Sequence, residues 1–266
     1  NNMEALSNLG VVFARLGRHG DAIAQYRRAL EINRENPTVR FNLGVAHFKA
    51  AQIPEAAREL ASVVAAEPGN LNARLVLGEC YLRMGDNKKV IELLSPLEPA
   101  QGNDRALLYV LGTALIRDGQ AEKGQILIDR ILRDGDSAEG HVLMAAVYFM
   151  AGKPAEAIKE CERALSLNPK LPSANSHLGR ALLRWQEPDR AMEAFRRELE
   201  NDPNEFYANL YLSLLLKQQQ RLDEALVYSQ RALQVRPGAP EIRYQIGSTY
   251  LLLGKYAEAL AILEPL

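Results

Sequence analysis

Glycines recur in this chain at a fixed interval, and that interval limits the possible folds more than any other feature. Gly10, Gly44, Gly78 and Gly112 stand 34 residues apart, and Gly179 and Gly247 are separated by 68, two such intervals. Between Gly112 and Gly179 the distance is 67, so one residue has been lost and the equivalent positions fall at Ala145 and Ser213. Eight units therefore share one frame. A period of a few tens of residues marks a chain of stacked supersecondary units, none of which can bury its apolar face alone.

Other columns keep the same register. Phe13, His47, Tyr81, Leu115, Tyr148, Leu182, Leu216 and Tyr250 lie three residues after the small anchor. Tyr26, Leu60, Leu94, Ile128, Cys161, Phe195, Ser229 and Leu263 lie sixteen after it. Leu77, Gly78 and Tyr81 set apolar or small groups at i, i+1 and i+4, one stripe of a first helix. The small anchor admits another helix at close range. Seven residues after it, Gly17, Gly85, Gly119, Gly152 and Gly254 suit a left-handed helix end and a tight turn. Ala51, Gln186 and Gln220 hold that column in the other units. Ala191 and Phe195 place a small and a large residue one turn apart on a second helix. Pro68, Pro169, Pro203 and Pro237 then close four of the units. Each unit reads as a helical hairpin.

The net charge of the 266-residue chain is −1, from 32 Lys and Arg against 33 Asp and Glu, so the basic excess that drives nucleic-acid binding is missing. Arginine outnumbers lysine 23 to 9, which leans toward a GC-rich bacterial source. No apolar run approaches the ~18 residues of a membrane span. Cys80 and Cys161 fall in packing columns and read as small buried hydrophobes, not as a disulfide. His19 reads as a turn residue and His47 as a member of the aromatic packing column. His141 and His177 complete the set, and no pair has zinc-ligand spacing. No glycine-rich phosphate loop or nucleophile elbow is present. These observations predict no catalytic residue, no cofactor and no metal site.

The in-frame motifs Ala22-x-x-x-Tyr26, Ala191-x-x-x-Phe195 and Leu77-Gly78-x-x-Tyr81 resemble those of the tetratricopeptide repeat family, and the resemblance runs from about Met3 to Leu266. The Trp that this family often carries four residues before the anchor is absent throughout. The resemblance implies an all-α, right-handed α-α superhelix (solenoid) of about eight hairpins in a single domain. The repeats would span residues 3–36, 37–70, 71–104, 105–137, 138–171, 172–205, 206–239 and 240–266. It also implies a concave groove, lined by the first helices, that holds a peptide or helix of another protein.

By that resemblance, residues three before and one, four and five after the anchor face the groove. The set comprises Phe41, Val45, Phe48, Lys49, Leu75, Arg83, Tyr109, Arg117, Phe149, Arg180, Arg184 and Tyr244, with Tyr207, six before its anchor, also inward. Phe41, Tyr109 and Tyr244 are the expected anchors, since aromatic residues dominate interface hot spots. Arg15, Lys49, Arg83 and Arg117 share one column and Arg180 with Arg184 adds a cluster. These cations either attract a carboxylate or acidic peptide or simply occupy helix C-termini, where the macrodipole favours them. The carboxylate clamp of chaperone-binding relatives cannot be built from Ser7/Val11, Phe41/Val45, Leu75/Glu79 or Tyr109/Thr113. An asparagine ladder is limited to Asn8 and Asn42.

Repeats three to five are irregular. Pro96 falls inside a second helix, Pro99 and Gly102 follow, Gly124 replaces the usual alanine, and the lost residue lies near Arg133–Asp136. These features either adjust the superhelical twist or make a flexible waist between repeats 1–3 and 5–8. Leu263-Glu264-Pro265-Leu266 repeats the pattern of Leu94-Ser95-Pro96-Leu97, after which another hairpin follows, so the chain is expected to continue. An apolar last helix, with Leu260, Ile262, Leu263 and Leu266, is expected to favour end-to-end self-association. The expected function is non-catalytic protein–protein interaction. The alternatives are the recruiting region of a larger enzyme and an assembly subunit of a complex.

Overall fold

The eight-fold column seven residues after the anchor has left-handed backbone in every repeat. Gly17, Gly85, Gly119, Gly152 and Gly254 have φ between 72° and 86°, and Ala51, Gln186 and Gln220 adopt φ of 59°, 63° and 61°. Each hairpin thus turns on one residue with positive φ, a conformation that glycine adopts without steric cost. The computed structural model describes residues 2–98, 104–133 and 135–265. Among them are sixteen α-helices and no strand.

First helices alternate with second helices. The first helices are α1 (Met3–Arg15), α3 (Pro37–Lys49), α5 (Leu71–Met84), α7 (Arg105–Arg117), α9 (Ala138–Met150), α11 (Ala174–Arg184), α13 (Phe206–Gln218) and α15 (Pro240–Leu252). The second helices are α2 (His19–Ile32), α4 (Ile53–Ala66), α6 (Asn87–Leu94), α8 (Ala121–Arg133), α10 (Pro154–Leu167), α12 (Pro188–Asn201), α14 (Leu222–Val235) and α16 (Tyr256–Leu263). His19 opens α2 and is not part of the turn to which its sequence position assigned it.

The chain forms two compact units, Asn1–Ala114 and Leu115–Leu266, with the boundary inside α7. In the first unit, each helix from α1 to α6 packs on the next, and α3 also touches α1 and α5. In the second unit the same holds from α8 to α16, with α9, α11, α13 and α15 touching in succession. First helices therefore form a layer of their own in each unit.

The small anchors have a physical partner. A methyl group on Gly10 would stand 2.5 Å from the Tyr26 ring, one on Gly44 2.8 Å from Leu60 and one on Gly179 2.6 Å from Phe195. Gly78 faces Leu94 and Gly247 faces Leu263 in the same way. In each case the partner is the residue sixteen positions on, so the first helix is notched to receive one large side chain of the second. Where the anchor is larger the partner is smaller: Ala145 goes with Cys161 and Ser213 with Ser229, all four buried.

Local caps start most first helices. Asn36 Oδ1 accepts from the Val39 amide at 3.0 Å, Asn70 Oδ1 from Ala73 at 3.0 Å and Asp104 Oδ1 from Leu107 at 2.8 Å. Each satisfies an N–H that the helix itself leaves unbonded. This column, eight before the anchor, was not noticed in the sequence.

Pro96 acts as expected: α6 stops at Leu94 after only 8 residues and a 3-10 turn covers Ser95–Leu97. Pro99, Gly102 and Asp134 lie outside the described residues.

Cys80 and Cys161 are both free and buried. Burial pushes the Cys80 thiol up to about 12, with the nearby Glu79 charge adding to the effect, and burial likewise raises Cys161. The expected result with a water-soluble aromatic disulfide reagent at neutral pH is no reaction in the native protein and full reaction of both thiols after unfolding. Rapid labelling of either cysteine in the folded protein would contradict this burial.

Candidate functional site

Phe41, Val45 and Phe48 on α3, Leu75 and Arg83 on α5, and Tyr109 on α7 are all partly buried, and Lys49 is exposed. The Arg83 guanidinium lies 4.5 Å from the centre of the Phe48 ring, a cation–π contact between successive repeats. Leu82 belongs to the column expected to line the groove, but it is buried.

The second unit brings five of the expected residues into one continuous cluster. Arg180, on α11, lies 4.7 Å from the ring centres of both Phe149 and Tyr207. Arg184, one turn later, lies 5.5 Å from Phe149 and also donates to the Phe149 carbonyl at 3.3 Å. Arg117, in the last turn of α7, lies 5.4 Å from Tyr207. First helices of the fourth, fifth, sixth and seventh repeats thus contribute to a single patch. Tyr244, on α15, makes none of these contacts and stands 66% exposed. Ile116, Val142 and Ser176, from columns assigned to the groove, are buried and unavailable to a partner.

Three members of the patch escaped sequence reasoning. Arg236, just past α14, lies 3.7 Å from the Phe206 ring centre and 5.2 Å from that of Tyr207. Phe206 in turn packs edge-on against Tyr207 at 5.2 Å. A signal for Arg236 existed: the same column holds Asn33, Glu67, Asn168 and Asp202 in other repeats, so arginine there reverses the usual character. His177 is buried, and its imidazole is held well below its ordinary pKa by desolvation and then by the charges of Arg180 and Arg117. It is therefore neutral at neutral pH. Burial by itself would raise the Tyr207 phenol, but the charges of Arg117, Arg236 and Arg180, with a hydrogen bond from Arg236, outweigh it and leave the phenol below its usual value.

A second polar feature lies on the flank of the same hairpin. Glu198, on α12, is fully buried, and its carboxylate accepts from the backbone amides of Ser173 at 2.8 Å, Asn175 at 3.0 Å and Ser176 at 3.3 Å. It caps α11 from another helix. The sixth repeat needs this because its own cap position holds Leu171, and Ser173 has left-handed backbone with no capping side-chain bond.

Family models for tetratricopeptide repeats match residues 12–50, 52–108, 138–171, 177–232 and 216–266. The chain belongs to the tetratricopeptide repeat family. Its solved relatives include a tetratricopeptide repeat protein from Parabacteroides merdae, which superposes with a TM-score of 0.64 at 16% identity over 93% of this chain and 98% of that one. Among curated proteins it is 31% identical over 86 residues to the TPR repeat-containing thioredoxin TTL4 of Arabidopsis thaliana, covering 32% of this chain and 13% of that protein. It is 24% identical over 238 residues to the human protein O-mannosyl-transferase TMTC1, covering 88% of this chain and 23% of that protein. The repeat array thus spans less than a quarter of either relative. Among the described residues of this tetratricopeptide repeat chain, no group of three or more His, Cys, Asp or Glu is arranged to hold a metal ion. No described helix is long and apolar enough to cross a membrane.

Proposed function

We propose that this chain is a non-catalytic scaffold that holds a peptide or helix of a partner protein against its layer of first helices. Tetratricopeptide repeats generally mediate protein–protein interaction, and the observation that carries the reading here is the Arg117–Phe149–Arg180–Arg184–Tyr207 cluster. Aromatic rings and guanidinium groups are the side chains that most often dominate interface energetics. Partner apolar groups would be buried against Phe41 and Tyr109 on the first unit or against Phe149 on the second, while the arginines set register and association rate. The test is capture of partners by the full-length protein, repeated with Phe41, Tyr109 and Phe149 each changed to Ala. The expected result is a loss of about tenfold or more in affinity for at least one variant, the size of a typical hot-spot truncation. Undiminished capture by all three variants would move binding away from this layer.

A second reading draws on the match to TMTC1, which extends over 88% of the chain. That relative is named for glycosyl transfer, but at 24% identity over 23% of its length the match does not favour the alternative, a recruiting region of a larger enzyme, over the scaffold reading. Self-association through the last helix finds support in α16, where Tyr256 is 71% and Leu260 64% exposed. Light scattering across a concentration series would then show a rising mass, and Leu260→Glu would abolish the rise.

A further inference from the structure

Cations at the ends of first helices stand five residues after the anchor in several repeats, as Lys49, Arg117 and Arg184 do. Lys217, in the last turn of α13, stands one residue earlier. That column holds Phe48, Phe149, Leu183 and Leu251 in other repeats and no second charged residue. Helix-end electrostatics favour a cation in the last turn. They are served as well from the neighbouring column and do not explain a charge set among apolar groups. Lys217 is partly buried, and its one hydrogen-bond partner among the described residues is the Ser248 hydroxyl on α15, at 2.6 Å. Ser248 in turn donates to the Gln245 carbonyl at 2.9 Å. No carboxylate among the described residues pairs with the ammonium. Burial pushes Lys217 below its ordinary value, and no opposite charge offsets the effect.

Apolar surface flanks this ammonium on both sides. Helix α13 packs on α11 and on α15. Toward α11, Leu214 lies one turn before Lys217 on the same face of α13. It is 38% exposed and borders an open cavity of about 470 Å³, which Leu183, Pro188 and Tyr211 also line. Toward α15, Tyr244 and Leu251 share the helix face of Ser248 and stand 66% and 47% exposed.

We propose that Lys217 and the apolar surface around it hold a short segment of a partner protein that carries an internal Asp or Glu between apolar residues. The carboxylate supplies the counter-charge that the fold leaves out, at a partly buried position where salt screens the pair less than on open surface. An apolar side chain on one side of the acid enters the cavity beside Leu214, and one on the other side packs on Tyr244 or Leu251. Because apolar surface continues past the ammonium in both directions, the segment runs on beyond its carboxylate. That selects an acidic side chain over a chain terminus. This inference rests on the reading of the first-helix layer as the partner-binding face, and it names what a partner brings to the seventh and eighth repeats.

The probe is a library of short random peptides displayed on phage, with their C-termini fused to the coat protein, selected on the full chain and separately on Lys217→Gln. Peptides enriched on the unaltered chain are expected to carry Asp or Glu with apolar neighbours on both sides, and Lys217→Gln should abolish that acidic preference. One enriched peptide, made with both ends blocked, should lose about tenfold in affinity when its acid is changed to the amide, and less than about twofold when the same pair is compared on Lys217→Gln. On the unaltered chain the Lys217 ammonium should titrate at higher pH once the peptide is bound, since an opposite charge favours the charged form. No enrichment, no acidic preference, or a preference that Lys217→Gln leaves intact would overturn the assignment. If Lys217→Gln failed to fold, a Lys217 titration unmoved by the bound peptide would still refute it. A peptide cut to end in a free carboxylate at the acid position and binding more tightly than its parent would overturn the choice of an internal acid. Peptides that lose binding on Phe149→Ala but not on Lys217→Gln would sink this site and leave the first-helix layer standing as the binding face.

Discussion

Phe195→Ala is expected to destabilise the second unit by about 3–5 kcal/mol, the usual cost of deleting a fully buried aromatic side chain. Phe195 is completely inaccessible, fills the notch left by Gly179 and stacks on Tyr211 with ring centres 5.6 Å apart and planes 9° apart. The companion change reveals why the notch exists. Gly179→Ala in the unaltered protein places a methyl 2.6 Å from the ring. Overpacking of that kind costs about 1–3 kcal/mol, more than the ~1 kcal/mol that alanine gains over glycine inside a helix. With Phe195 already shortened to alanine, the clash is gone and only the propensity gain and cavity filling remain. Gly179→Ala should then stabilise. The pair is expected to show a coupling of about 1–3 kcal/mol with a reversal of sign, measured by urea unfolding of the four proteins. Simple additivity would mean that the small anchor is not kept small by its partner sixteen residues on.

That pairing explains how much of the fold was legible in the sequence. Both columns were visible as repeats, and so was the turn column, because a helix period and a left-handed turn each demand a residue type at a fixed place. Their physical relation was also present in the letters. Glycine faces Tyr26, Leu60, Leu94, Phe195 and Leu263, whereas Ala145 goes with Cys161 and Ser213 with Ser229. The cap column Asn2, Asn36, Asn70 and Asp104 was equally available in the sequence and went unread. The arginine cluster was not legible in the same way. Arg117, Arg180 and Arg236 come from three different repeats, and no single column records which of their side chains meet the Tyr207 ring. Leu82, Ile116, Val142 and Ser176 are buried although their columns were expected to line the groove. Cover by another repeat is a contact between units of the array, and position within one unit does not encode it.

Glu198 should make the second unit less stable as pH rises from about 4.5 to 7. Its carboxyl pKa is raised from 4.5 to about 7, first by burial and next by the charge of Glu205; the amides of Ser173 and Ser176 pull the other way. A carboxyl whose folded pKa lies above its unfolded value favours the folded state when protonated. The stabilisation is therefore complete below the unfolded pKa and is lost as pH climbs through the folded one. A difference of roughly two and a half units corresponds to about 3 kcal/mol at most. Glu198→Gln keeps an acceptor for the start of α11 and removes the titration, so it should match the parent near pH 4 and exceed it in stability at pH 8. The difference between the two proteins is the quantity to follow, because it cancels every other titrating group. Glu198→Ala is a different change: it strands the amides of Ser173, Asn175 and Ser176, each bonded now at 2.8–3.3 Å, in a repeat with no local cap to replace them. That loss should cost about 3 kcal/mol or more at every pH, since each buried donor left unmatched costs about 1–3 kcal/mol. Parallel stability profiles for the parent and Glu198→Gln from pH 4 to 8 would mean that the Glu198 carboxyl titrates alike in the folded and unfolded chain. The amides would then have offset burial and repulsion from Glu205.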